Sequence, residues 1–403
     1  MVMLAGCGSI IESYEFFIII IYSIQIGKTF FPVENPILAS LSTFLVFFLS
    51  WIARPIGGLV FGHYGDSNSR KKTFSYSLIW MAIASISISL LPAFDSVGII
   101  SPILFVIFRI LQGIAIGGEV AGAITYVYEQ SRSNKYLSCA IVVSSLTFGI
   151  ILANIISFLL EIIIPSVNVW RIAIFIGGFF GLIGVFLRFK LKESSMFLQK
   201  NNKGDIPLLS LLANYKASLV LGFLISGIQA TLTIGFIIFL PTYLLLKINI
   251  ETIYVSLLSI VSLFCLTISV IIGGYIFVNK PVTKLYISGI SSIPTAFFLL
   301  YSLNHESYFS ILLMMIFSFF AGIFGGTYSA YIASIFPTNV RYTGVGIANN
   351  IAYALFGGLV PSITLILMYS LASLYAPAIV LSVIISINLL LIFYLISANK
   401  MSN

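Results

Sequence analysis

Residues 54–72 read RPIGGLVFGHYGDSNSRKK, from Arg54 to Lys72. The run starts in apolar sequence and ends on Asp66 and the cations Arg70, Lys71 and Lys72, after which apolar sequence resumes. A short charged loop between two apolar stretches joins consecutive membrane spans on one side of a bilayer. Part of the run recurs. IGGLVFG at Ile56–Gly62 returns as IGGYIFV at Ile272–Val278, 216 residues on, and Gly117 and Gly118 return as Gly325 and Gly326, 208 residues on. Such an echo predicts two six-helix halves, the plan of membrane proteins that rock two bundles about the bilayer midplane.

Composition agrees. With 60% hydrophobic and 8% charged residues and a mean hydropathy of +1.12, 403 residues have too little polar surface to coat a water-soluble globule. Six apolar stretches before residue 190 and six after residue 216 reach the ~20 residues a span needs. The expected fold is an all-α integral membrane protein with twelve transmembrane helices in two pseudo-symmetric six-helix bundles. The expected bundles are residues 1–189 and 217–403, joined by a cytoplasmic linker, 190–216, containing KESSMFLQKNNKGD. The net charge of +8 is topological and does not point to nucleic acid. Among basic residues outside the spans, only Lys28, Arg171 and Lys247 fall opposite the rest, a positive-inside bias that places both termini in the cytoplasm. Cys7, Cys139 and Cys265 sit in apolar sequence and read as small buried hydrophobes. No HxxxH or CxxC pattern suggests a metal, and no phosphate-cradling loop suggests ATP hydrolysis. No cofactor and no enzymatic activity are expected.

The chemistry lies in charges inside the spans. Glu12 and Glu15 are three apart and share a face of the first span, while Glu119 follows Gly117 and Gly118 in the fourth, with Arg109 and Gln112 on its face. Ionised side chains at mid-bilayer cost roughly 2.5–3.5 kcal/mol on insertion scales, which marks these residues as functional. Glu12, Glu15 and Glu119 are the expected proton-coupling groups, facing one cavity. Arg109, Gln112, Tyr14 and Asn349 are the expected solute-binding set, with Arg109 pairing a carboxylate or receiving an anionic group. Aromatic rings near the acidic pair suit a quaternary ammonium. The intramembrane charges Glu12, Glu15, Arg54, Arg109 and Glu119 all belong to the first half, and where Glu119 repeats the second half has Thr327. The second half is expected to supply polar walls such as Gln229, Tyr328, Tyr331, Asn349 and Asn350. A helix N-terminus just after the 54–72 loop is expected to favour Asp66.

The 54–72 stretch also resembles the signature loop of the major facilitator superfamily. ESYEF at Glu12–Phe16, RILQGIAIGGEVAGA at Arg109–Ala123, WRIAIF at Trp170–Phe175 and FPTNVRYTG at Phe336–Gly344 follow in order, with FGGLVP ending at Pro361. Together they resemble the metabolite:proton symporter family, which includes proline/betaine, 2-oxoglutarate, citrate and shikimate transporters. The resemblance implies a proton-coupled symporter that imports a small organic solute by alternating access. It also implies a bacterial inner membrane, contact with membrane lipid and function as a monomer. It assigns gating to Arg54, Gly62, Asp66, Arg70, Lys71 and Arg341. Ser67 and Ser69 stand where the family usually has a basic residue and a glycine, and the second half has only NKPVTK near Lys280, which implies a looser gate. The solute is a zwitterion such as proline or betaine, or a dicarboxylate such as 2-oxoglutarate. One central arginine among acids favours the zwitterion, because a dicarboxylate prefers a second intramembrane cation. The competing class is a membrane protein that binds without transporting.

Overall fold

The computed structural model describes residues 2–32, 36–164, 168–198, 207–247, 252–276, 279–305, 307, 309–371 and 373–401. Every regular element among them is helical. The first part of the chain forms α1 (Val2–Ile21), α2 (Ser23–Phe30), α3 (Pro36–Ser67), α4 (Arg70–Leu90), α5 (Phe94–Val97), α6 (Ile100–Gln130), α7 (Lys135–Ile163) and α8 (Val169–Arg188). Short α9 (Ser195–Leu198) and α10 (Pro207–Asn214) lie in the linker. There follow α11 (Lys216–Ala230), α12 (Leu240–Lys247), α13 (Thr252–Tyr275), α14 (Pro281–Asn304), α15 (Phe309–Ser334), α16 (Arg341–Ala352), α17 (Gly358–Leu371) and α18 (Ala376–Met401). Among the described residues, eleven helices are long and apolar enough to cross a membrane, so the chain is a multi-pass membrane protein. The remaining expected span falls on α3, where the side chains of residues 36–41 lie outside the described residues.

Two compact units form. The first is Met1–Gln130, Ser145–Leu208 and Thr338–Gly346; the second is Ser131–Ser144, Leu209–Pro337 and Ile347–Asn403. The segment Thr338–Gly346 thus arrives in the first unit from late in the chain, bringing the first turns of α16.

Glycines set the closest helix contacts in each unit. A Cβ on Gly117 of α6 would lie 2.0 Å from the Arg54 carbonyl oxygen of α3, and one on Gly57 would lie 1.9 Å from the Ile114 carbonyl oxygen. The backbones of α3 and α6 therefore touch directly, as small residues allow in membranes. In the second unit the same contact joins α13 and α15. A Cβ on Gly326 would lie 2.0 Å from the Val270 carbonyl oxygen, and one on Gly273 would lie 2.7 Å from that of Ile323. This packing pairs Gly117 with Gly326, one residue on from the alignment of the glycine pairs. The counterpart of Glu119 is accordingly Tyr328 and not Thr327. Tyr328 is buried, with its hydroxyl 3.5 Å from that of Tyr353.

Two helices of the second unit widen where the sequence pattern gives no warning. α11 runs into a π-helical segment, Thr231–Ile238, and α16 into another, Tyr353–Gly357. Extra-wide turns of this kind occur mostly at functional positions.

Gly117→Ala forces a methyl into a backbone carbonyl that cannot yield without separating α3 from α6. Over-packing of this kind costs about 1–3 kcal/mol, so the detergent-solubilised protein should unfold several degrees lower. Gly289→Ala, whose Cβ meets nothing nearer than 3.4 Å, should leave the midpoint unchanged. Equal midpoints for the two variants would show that the contact is loose.

Candidate functional site

Three tiers of buried polar groups lie along α6 within the first unit, at Glu129, at Glu119 and at Gln112 with Arg109, none more than 3% exposed. At 1.5 Å per residue their α6 members stand about 15 and 10 Å apart along the axis.

The first tier holds Asp66, Arg70, Glu129 and Arg341. Arg70 bonds Asp66, reaches Glu129 through Nε at 3.3 Å and Nη2 at 3.2 Å, and donates to the Thr338 carbonyl at 2.6 Å. Arg341 donates to Glu129 at 2.8 Å. Asp66 does not sit over the helix that follows its own loop. It accepts from the backbone N–H groups of Tyr342 (3.2 Å) and Thr343 (2.8 Å) and from the Thr343 hydroxyl (2.6 Å), so it caps α16. The expectation of a favourable helix N-terminus holds, but the helix is a different one. The N-terminus of α4 is served by Ser69, whose Oγ accepts from Lys72 N–H at 3.1 Å, and by Glu193, which accepts from Lys71 N–H at 3.2 Å and from Ser69 Oγ. Lys71 sends its ammonium to the Phe189 carbonyl (2.8 Å) at the C-terminus of α8, where a cation is favoured. Gly62 lies under Thr343: a Cβ there would be 2.7 Å from the Thr343 Cα. Arg54 stacks its guanidinium 4.6 Å from the centre of the Trp51 ring.

The second tier is Glu119 with Arg188. Nη1 of Arg188 donates to Glu119 Oε2 at 2.8 Å and Nη2 to Oε1, while the Ser77 hydroxyl adds a bond of 2.8 Å. Arg188 also donates to the Phe74 carbonyl and lies 3.6 Å from the Phe74 ring centre. Arg188, which by position in the sequence counts among the cations outside the spans, is fully buried, and it is the partner of Glu119. The last residue of a span looks interfacial in sequence, but here packing by α4 covers it. α1 passes the pair at Gly8, where a Cβ would be 1.7 Å from Arg188 Nη2 and 2.4 Å from Glu119 Oε1. One turn further along α1, Glu12 is 4% exposed, its Oε2 has no hydrogen-bond partner, and it feels the charges of Arg54, Glu119 and Arg188.

In the third tier Glu15 Oε2 accepts from Ser85 and from Gln112 Nε2 (3.1 Å), and Gln112 Oε1 accepts from Arg109. Arg109 lies 5.5 Å from the Phe16 ring centre. Glu15 Oε1 is buried and unpartnered, toward Gly181 of α8. The three carboxylates therefore divide between tiers, Glu12 beside Glu119 and Glu15 beside Arg109 and Gln112. Tyr14 points to α8, where its hydroxyl donates to the Ala173 carbonyl at 2.8 Å.

In the second unit Asn349 and Gln229 are buried, and neither side-chain carbonyl has a partner. Lys284, also buried, donates to the carbonyls of Gly273 (2.5 Å) and Ile276 (2.6 Å) at the end of α13. Sequence reasoning missed Glu129, Glu193 and Arg188 because each lies at a span end or in the linker, where a charge normally signals only the interface.

The model of the Major Facilitator Superfamily matches residues 7–361. A putative proline/betaine transporter of Staphylococcus haemolyticus (strain JCSC1435) is 30% identical over 97% of this chain and 86% of its own length. The proline/betaine transporter of Escherichia coli (strain K12) is 28% identical over 96% of this chain and 81% of its own. Among solved structures, the proton:xylose symporter XylE bound to 6-bromo-6-deoxy-D-glucose superposes with a TM-score of 0.77 at 14% identity, covering 98% of this chain and 94% of that one. The transporter FucP in its outward conformation gives 0.72 at 14% identity, covering 98% of each chain. The chain belongs to the major facilitator superfamily and has its fold. Within it the chain belongs to the metabolite:proton symporter family and resembles the proline/betaine transporters.

Removing the Glu129 carboxylate takes a buried anionic partner from both Arg341 and Arg70, the latter keeping Asp66. Glu129→Gln should destabilise the protein by about 3–5 kcal/mol, as broken buried pairs do. Raising salt from 0.1 to 0.5 M should barely shift the native unfolding midpoint, because screening acts on exposed charges. A strong salt dependence would mean that water reaches the cluster.

Proposed function

We propose that this protein is a proton-coupled symporter that imports a small zwitterion of the proline/betaine kind by alternating access. In this reading α3 completes twelve spans in two bundles, both termini are cytoplasmic, and the protein works as a monomer in a bacterial cytoplasmic membrane. The observation that carries the reading is Glu12, a buried carboxylate with an unpartnered oxygen beside a carboxylate that already has its guanidinium. A carboxylate in that setting is suited to accept a proton. The names of the relatives support the choice of solute.

The residues divide the work. Glu119 is engaged by Arg188 and Ser77, which leaves Glu12, with its unpartnered oxygen, as the group that gains and loses the proton. Arg109 receives the solute carboxylate. Glu15, linked to Arg109 through Gln112, holds the amide that steadies that guanidinium for the solute. Tyr14 fixes α1 against α8, and Asn349, whose amide carbonyl is buried without a partner, is a further solute-binding residue. Asp66, Arg70, Lys71, Arg341, Gly62 and Arg54 form the gate. A dicarboxylate prefers a second intramembrane cation. Arg188 is a second buried cation, but both of its terminal nitrogens are engaged, which favours the zwitterion.

The test is uptake of labelled proline, betaine and 2-oxoglutarate into proteoliposomes with and without an inward proton gradient. Proline or betaine should accumulate at least tenfold in the native protein, and Glu12→Gln should reduce accumulation to simple equilibration. Accumulation of 2-oxoglutarate alone would refute the zwitterion, and binding without uptake would refute transport.

A further inference from the structure

The hydroxyl of Tyr342 joins the first tier to the second. Tyr342 is fully buried, and its residue spans both: its backbone N–H lies on Asp66, while its phenolic hydroxyl donates to the Gly118 carbonyl at 2.8 Å, next to Glu119 in the chain. Two glycines make room for the ring. A Cβ on Gly65 of α3 would lie 2.1 Å from Tyr342 Cδ1, and a Cβ on Gly122 of α6 would lie 2.3 Å from its hydroxyl oxygen. The ring also lies 5.8 Å from the Arg70 guanidinium.

We propose that Tyr342 is a positioning residue that transmits the state of the Glu119 tier to the gate, through its bond to Gly118. The inference rests on the proton-coupled reading above. The groups that bear on the phenol are Glu119 and Arg188 from the second tier and Asp66 and Arg70 from the first. A rearrangement at Glu119 displaces the turn of α6 that holds Gly118. The phenol follows that carbonyl, and its own backbone N–H, together with that of Thr343, is drawn from Asp66. The cap on α16 weakens, and the segment Thr338–Gly346 is released. The slot of two glycines gives the ring a single seat, so a small shift on α6 is not absorbed by a change of side-chain position.

The experiment reads the gate directly by hydrogen exchange of peptides covering residues 338–346, in four full-length proteins: native, Glu119→Gln, Tyr342→Phe and the double variant. Tyr342→Phe keeps the ring in its slot and removes only the hydroxyl. Glu119→Gln should speed exchange in this segment about tenfold in the native background and less than twofold in the Y342F background. The same tenfold change in both backgrounds would overturn the proposal, as would no change in either. Exchange across residues 231–238 serves as a folding control, and loss of protection there in Y342F would be met by Tyr342→His, which keeps a ring donor and should restore the native response. Failure of the proton-coupled reading shows separately, as native protein that accumulates no solute under a proton gradient.

Discussion

A carboxylate inside hydrocarbon must have a cation, a set of hydrogen-bond donors or a proton, because water is not there to solvate it. This constraint organises the first unit. Glu119 has Arg188 and Ser77, Asp66 has Arg70 and a helix N-terminus, and Glu129 has two arginines. Glu12 has neither a bonded cation nor a donor on Oε2. The proton is the remaining way to neutralise it, and a proton is what an inward gradient supplies.

The same rule explains the first tier. A helix N-terminus buried without partners leaves backbone N–H groups unsatisfied. Two such ends lie near the junction of α3 and α4, and each takes its carboxylate from elsewhere in the chain: α16 from Asp66, α4 from Glu193. Ser69, which replaces the family's usual glycine, both caps α4 and bonds Glu193. A carboxylate at a helix start is held by dipole and hydrogen bonds together, which lets it release when the helix moves and re-form without side-chain repacking. In the second unit Lys284 satisfies the carbonyl end of α13, the complementary solution at the opposite helix pole.

How much of this was legible follows from what each signal depends on. Hydropathy and the glycine echo carried the helical membrane fold, because span length and close backbone packing are local properties. Glu119, Arg109 and Gln112 stood out because charge is rare within a span. Arg188, Glu129 and Glu193 did not, since a charge at a span end or in a linker is ordinary, and only the packing of α4, α6 and the linker start reveals the burial of the first two and the bonds of the third to the start of α4. The register of the repeat was out by one because either member of a glycine pair can face the neighbouring helix. The two π-helical turns leave no trace in apolar periodicity, being insertions of a single backbone step.

The central claim is that Glu12 carries the proton while Glu119 stays bonded to Arg188. Infrared difference spectroscopy on reconstituted protein, with and without solute, reads carboxyl protonation directly. The account predicts a protonated-carboxyl band that responds to solute, disappears in Glu12→Gln and persists in Glu119→Gln. A band that persists in Glu12→Gln and vanishes in Glu119→Gln would contradict it.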